Sequence, residues 1–274
     1  MVTKKQHYYP RCLLKHFSDN QGNVNVYIHQ ANKLFKMNYE NTCAANYTYE
    51  SRNTNDNILE CKLGAYESKA CSIVSYILNN INSDEFAVTK EQQQILFQYM
   101  FLQSLRTDVG RINFINLIEN HFSYKPRNRP IELDEIKNNS EKIKKFNLIF
   151  KQGNVLEELL NRLEKTEDMN FHIAISQNNL LTSDNPIIGT DEWRQIILPI
   201  SPHFCIEFQH DSINTSDELI VMLAPEKTRY INEATINTSN YYIISREPFN
   251  LIQSNYIYNR FLNKDWTFGF PHFS

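Results

Sequence analysis

The chain has 274 residues and 32.4 kDa, 41% of them hydrophobic, which suits a folded protein of one large or two small domains with a buried core. Its 28 Lys and Arg against 31 Asp and Glu give a formal charge of −3, which excludes a global basic field for nonspecific phosphate binding and leaves only a local groove. The six glycines form neither GxGxxG nor GxxxxGK[ST], and GxSxG and HExxH are absent, so no nucleotide cofactor motif, nucleophile elbow or zinc-protease helix is available.

The opening, Gln6-His7-Tyr8-Tyr9-Pro10-Arg11-Cys12-Leu13-Leu14-Lys15-His16-Phe17, places titratable side chains around a proline, where the backbone is fixed and a side chain is aimed at little entropic cost. Asp19 to Asn23 is rich in residues that tolerate turn dihedrals. Val24–Ile28 and Lys33–Met37 follow as short β-favouring runs, and the polar His29–Asn32 between them predicts a hairpin. From Ile58 to Ile81 apolar residues recur at three- and four-residue steps (Leu59, Leu63, Tyr66, Ala70, Ile73, Val74, Ile77), which predicts an amphipathic helix. A second helix is predicted from Lys90 to Ser104, with Thr89 as N-cap and Gln92 at the capping-box position, and a third from Val109 to His121. Tyr124 to Pro130, with two prolines and three basic residues, reads as a loop. Glu132 to Lys165 is helical in composition, with a break at Gln152-Gly153-Asn154.

After Phe171 the texture changes. Strands are predicted at Phe171–Ile175, Ile187-Ile188, Ile196–Ile200, Phe204–Phe208 and Leu219–Leu223, then a helix over Lys227–Asn240 that Tyr241–Ser245 ends or follows as a short strand. The order is an N-terminal β-hairpin, a helical middle and a C-terminal β-rich part with a returning helix, so the expected class is α+β. A single domain over 1–274 is expected, with sub-parts 1–57, 58–168 and 169–274. Cys12, Cys43, Cys61, Cys71 and Cys205 are odd in number and contain no CxxC, which argues against a disulfide framework or a zinc ribbon and reads as reduced packing residues. The basic start has no apolar run behind it and no apolar segment approaches the roughly 20 residues of a membrane span, so a cytoplasmic protein without membrane contact is expected.

The opening box resembles the HYVPRFLLRNF-type start of a widespread, mostly bacterial family known as domain of unknown function 4238. Further elements match in order: a helix with Glu60, Leu63 and Glu67, then Leu105-Arg106-Thr107, then Leu181-Thr182-Ser183-Asp184-Asn185-Pro186, then Leu198-Pro199-Ile200-Ser201-Pro202, which is similar to the family's LPLSP box, and Ile231-Asn232, which resembles its VN element. The resemblance spans nearly the whole chain and implies an architecture without an established activity. Tyr9 stands where the family start usually has valine, and Cys12 where a larger apolar residue is common; both keep an apolar packing surface.

Chemistry concentrates in two boxes. His7 is a candidate base or metal ligand and Arg11 a bidentate grip for phosphate or carboxylate; the structural reading is that both anchor the N-terminal arm. Glu67, on one stripe with Glu60, either pairs with Arg11 or Arg106 or holds a divalent ion together with Asp184. Asp184 activates water or binds a cation, with Ser183 and Asn185 orienting substrate, or the same box folds into a turn by local side-chain bonds. Arg106 and Arg111 are candidate phosphate ligands or solvated ion pairs, and Tyr8, Tyr9, Tyr47 and Tyr49 candidate base-stacking or core residues. The first expectation is a metal-dependent, phosphodiester-directed hydrolase, nuclease-like, in a bacterial defence or toxin setting. In it His7, Glu67 and Asp184 are catalytic, Arg11, Arg106, Ser183 and Asn185 bind substrate, and Glu67 and Asp184 hold Mg or Mn; the partner is a nucleic acid or a phosphorylated small molecule. The alternative is a noncatalytic ligand-binding or sensor module whose polar motifs are structural.

Overall fold

Asp19 makes the first sharp turn: its Oδ1 accepts from the backbone N–H groups of Gln21 and Asn23, each at 2.9 Å, and Gly22 takes the left-handed φ of +76° that the turn requires. Beyond it lies the expected hairpin, in a computed structural model that describes residues 5–50, 56–120, 123, 129–163, 168–190, 194–214 and 216–264. In chain order the elements are β1 (Lys5–His7), α1 (Arg11–Leu14), β2 (Asn23–Ile28), β3 (Lys33–Asn38), β4 (Ala44–Asn46), α2 (Ile58–Asn80), α3 (Lys90–Arg106), α4 (Asp108–Glu119), α5 (Leu133–Asn138), α6 (Ser140–Lys151) and α7 (Val155–Asn161). The chain continues with β5 (Met169–Ile175), β6 (Thr182–Ser183), β7 (Ile188–Thr190), β8 (Gln195–Ser201), β9 (Phe204–His210), β10 (Ile220–Met222), α8 (Pro225–Thr238), β11 (Tyr242–Ser245) and α9 (Leu251–Tyr258), which runs into a π-turn at Asn259–Asn263. The class is α+β. Most of the predicted 124–130 loop, including Lys125 and Arg127, lies outside the described residues.

These elements group into two interleaved units, the first comprising residues 1–10, 44–124 and 134–167, the second 11–43, 125–133 and 168–274. The first is helical. Every periodic apolar position predicted for α2 is buried except Tyr66, which is partly so, and Leu59 and Leu63 join Leu102, Leu105, Phe146, Phe150, Leu156 and Leu160 in one core. α3 begins with the predicted capping box: Thr89 Oγ1 accepts from Gln92 N and Gln92 Oε1 from Thr89 N. The predicted break at Gln152-Gly153-Asn154 is present, with Gly153 at φ +40°; a second break at Asn139, between α5 and α6, carries no Gly or Pro to announce it. A short antiparallel ribbon of β1 and β4 completes the unit, with Gln6 opposite Ala45.

The corner between α3 and α4 turns on Thr107 and Gly110. Thr107 ends one helix and caps the next, accepting from Gly110 N at 3.0 Å. A Cβ on Gly110 would overlap the backbone carbonyl of Ser104. Alanine should gain up to about 1 kcal/mol of helix propensity but lose more to this overlap, so Gly110→Ala is expected to destabilise the protein by about 2 kcal/mol, read as a lower urea midpoint.

The second unit contains two sheets. The four-stranded one has order β3-β2-β11-β6 and is antiparallel; of the two alternatives for Tyr241–Ser245 the short strand, β11, is the one formed, and it pairs with both β2 and β6. The five-stranded one has order β10-β5-β9-β8-β7, antiparallel apart from the parallel β10–β5 pair. Register and alternation divide its faces. Phe171, Ile173, Ile206, Phe208, Ile196 and Leu198 share one face, all buried. On the other, Ala174, Cys205 and Ile197 pack under Ile231 and Ala234 of α8, while His172, Glu207, Gln209 and Gln195 continue the same face as polar residues. The π-turn after α9, which the sequence reading did not anticipate, supplies Arg260, whose Nε donates to Asn237 O and Nη2 to Ser239 O at the end of α8.

Among the described residues no helix is long and apolar enough to cross a membrane. Cys43 and Cys205 are buried free thiols and Cys61 an exposed one, but Cys12 and Cys71 are disulfide-bonded, which corrects the reading of all five cysteines as reduced.

Candidate functional site

The candidate residues divide between the units: His7, Glu67 and Arg106 belong to the first, and Arg11, Ser183, Asp184 and Asn185 to the second. In the first unit Arg106, 2% exposed, is the hub. Its Nη1 donates to Glu67 Oε2 at 2.9 Å, its Nε to the Tyr49 hydroxyl at 3.0 Å and its Nη2 to the His7 carbonyl at 2.9 Å. Burial alone would weaken the guanidinium's hold on its proton, but Tyr49 and Glu67 outweigh it and its pKa is raised. The His7 carbonyl also accepts from Tyr49 Oη at 2.6 Å, and the Tyr8 carbonyl from Gln103 Nε2 at 2.6 Å. The opening box is thus held by its backbone. Glu67 takes the pairing with Arg106 that was its structural alternative. Glu60, one turn-pair earlier, is pushed up by burial, against Arg106 and together with Glu67 and Glu50, and its buried Oε2 has no hydrogen-bond partner.

Arg111 is no solvated surface charge. It is 1% exposed and donates to Asn147 Oδ1 and to Asp108 Oδ1, both at 2.7 Å. Asn147 also donates to the Glu50 carbonyl at 3.1 Å, which links Arg111 to a set that no sequence motif announced. Lys151 Nζ contacts Glu50 Oε2 at 2.8 Å and Asp56 Oδ1 at 3.1 Å, and Glu50 Oε1 accepts from Gln6 Nε2 at 3.2 Å. Of the four tyrosines considered for base stacking, Tyr8, Tyr9 and Tyr49 are buried, leaving Tyr47 exposed.

In the second unit, strand β6 carries Thr182-Ser183 and ends in the Asp184-Asn185-Pro186 turn. Ser183 Oγ accepts from Asn185 N at 3.1 Å, the local turn bond expected of this box. Asp184 does something else: its Oδ1 accepts the backbone N–H groups of Asn240, Tyr241 and Tyr242 at 3.2, 3.0 and 2.9 Å, and its Oδ2 accepts Asn240 N at 3.3 Å. It staples the end of α8 and the start of β11 to β6. Burial pushes the Asp184 carboxyl up to about 6, with those amides holding it back from rising further. Asn185 Nδ2 donates to Thr238 O at 2.7 Å and to Asn240 Oδ1 at 2.8 Å, and Asn240 in turn donates to Ile131 O. Arg11 is exposed at the start of α1. Among the described residues no three His, Cys, Asp or Glu side chains gather as a metal-binding group.

Among the described residues an open space lies elsewhere in the second unit, over the polar end of the five-stranded sheet. A cavity of about 620 Å³ is lined by His172, Gln195, Glu207, Gln209, Asn214 and Lys227, with Ile213, Val221 and Leu223 as apolar wall. His172, Gln195 and Glu207 are each at most 5% exposed. His172 and Glu207 are direct partners in the β5–β9 register, as are Gln195 and Gln209 between β8 and β9, so the pleat alone aims all four side chains into the same space. His172 Nδ1 lies 2.7 Å from Glu218 O and Nε2 3.0 Å from Asn214 Oδ1, which fixes the ring. None of these residues was singled out from sequence. In sequence Glu207 takes the ordinary polar parity of the alternating strand Phe204-Cys205-Ile206-Glu207-Phe208, so nothing local announced its burial.

The family model for proteins of unknown function DUF4238 matches residues 5–248. The chain belongs to this family. The match takes in β1 through β11, so both networks and the cavity fall within the DUF4238 region, and the resemblance drawn from the ordered boxes is correct. No curated protein and no solved structure matches the chain.

Proposed function

We propose that this DUF4238 chain is a noncatalytic ligand-binding module whose ligand occupies the cavity of the second unit, and whose sequence boxes are scaffolding. The observation that carries the reading is the cavity: buried polar side chains from three adjacent strands converge on one space within the 300–1,000 Å³ range, roughly, of small-molecule sites. The saturation of Arg106 and Asp184 by structural hydrogen bonds supports it, because a group with its lone pairs or protons committed has little left for substrate.

The second reading keeps the phosphodiester-directed hydrolase in a cytoplasmic bacterial defence or toxin setting, acting on nucleic acid or a phosphorylated small molecule. It is favoured by one property, the elevated pKa of Asp184, since a carboxyl near 6 is in the range useful for general acid–base work. It requires His7 and Glu67 of one unit to act with Arg11 and Asp184 of the other, Glu67 and Asp184 carrying Mg or Mn.

One pair of measurements separates them. Thermal-shift screening of the full chain against small polar metabolite classes is expected to find a ligand that raises Tm saturably, while RNA and DNA incubated with Mg or Mn stay intact. Metal-dependent cleavage that disappears in a folded Asp184→Asn protein would instead establish the hydrolase.

A further inference from the structure

Glu207 is the most deeply buried carboxylate in the cavity, at 1% exposure, and its partners are unequal. Oε2 accepts from Gln209 Nε2 at 2.5 Å. Among the described residues Oε1 meets the Cys205 thiol at 4.0 Å and the Lys227 ammonium at 3.9 Å, a weak donor and a cation held beyond hydrogen-bond reach. The neighbouring ring of His172 is already spoken for by Glu218 O and Asn214 Oδ1, and the residue opposite Glu207 on β8 is Ile197. A buried carboxylate is strongly disfavoured unless a donor meets it, and a charged donor at close range meets it best. The cavity leaves room for such a donor against Oε1, and Lys227, whose side chain is 29% exposed on a flexible stem, can swing outward to admit one.

Resting on the reading of the cavity as a ligand site, we propose that its ligand is a small organic cation. A primary ammonium or guanidinium group sits against Glu207 Oε1, and an aliphatic stem lies along Ile213, Val221 and Leu223. The amide side chains of Gln195 and Gln209 add polar contacts at the same end of the sheet.

The test is calorimetric titration of the full chain with agmatine, 1,4-diaminobutane, 1,4-butanediol and succinate, with amide chemical shifts followed at His172 and Asn214. Saturable binding of agmatine or the diamine is expected, at least about tenfold weaker in Glu207→Gln, a difference well resolved by titration. Lys227→Met, which removes the internal competitor, is expected to tighten it. Both variants are checked for an unchanged far-ultraviolet spectrum. Equal affinity in Glu207→Gln, or loss of binding in Lys227→Met, overturns the proposal. If butanediol or succinate binds with shifts at His172 and Asn214 and the cations do not, the cation assignment fails while the cavity remains a ligand site. A screen with no ligand of any class is the separate result that removes the site itself.

Discussion

Replacing Asp184 by alanine should destabilise the protein by about 3–5 kcal/mol, because the buried N–H groups of Asn240, Tyr241 and Tyr242 lose the Asp184 acceptor at once and each unsatisfied group costs roughly 1–3 kcal/mol, not additively. For a chain of this size the melting temperature should fall by on the order of 10 °C. Asp184→Asn should behave differently. Its remaining oxygen keeps the bonds from Asn240, Tyr241 and Tyr242, and its new amide replaces only the longest contact, the 3.3 Å one from Asn240 N. A loss within about 1 kcal/mol is therefore expected. The pH profile provides an internal check. The folded-state pKa of Asp184, about 6, lies above the ordinary value of 3.8, so the folded protein binds the proton more tightly than the unfolded chain. Its contribution is fully present below about pH 4 and is lost as pH rises through about 6, a change of about 3 kcal/mol. Asp184→Asn should abolish that slope, measured as urea-unfolding free energy against pH between 4 and 7. A profile identical to that of the parent chain would show that Asp184 is not the titrating group.

Lys151→Met should cost a comparable amount, about 3–5 kcal/mol, since it strands Glu50 as an uncompensated carboxylate at 6% exposure with Asp56 beside it. The pair is not stabilising merely because it is buried: a hydrophobic replacement of both partners is often neutral. Glu50→Gln combined with Lys151→Met should therefore recover most of the loss, since glutamine retains an oxygen for Asp56 N and stays within reach of Gln6. A double-mutant cycle by urea denaturation reads the coupling directly. Two additive single losses would mean that Lys151 and Glu50 do not interact in the folded chain.

The Arg106 and Asp184 networks explain why the boxes stood out in the sequence and why their meaning did not. Local chemistry was legible wherever partners lie close along the chain. The Thr89 capping box, the Asp19 turn, the α2 stripe and the Ser183–Asn185 turn are all made by residues within a few positions of one another, so spacing carries the information. Asp184 finds its donors 56 to 58 residues away, Arg106 its acceptors 39 to 99 away, and Lys151 its carboxylate 101 away. At such separations residue type announces that a polar group needs a partner but not which one. A base-like His7, a metal-like Glu67 and a substrate-binding Arg106 were then as plausible as a network closed by a tyrosine hydroxyl and two main-chain carbonyls.

The cavity shows the same divide. By itself the sequence determined the α+β class, the hairpin, the long helices α2 and α3, most strands of the five-stranded sheet, and membership of DUF4238 through its ordered boxes, because periodicity, caps and short motifs are local properties of the chain; the β1–β4 ribbon and α9 were not legible in it. Only the tertiary structure decided that His172, Gln195, Glu207 and Gln209 face one space, because strand register, set by hydrogen bonding between residues up to 41 positions apart, is what turns four scattered polar residues into a wall.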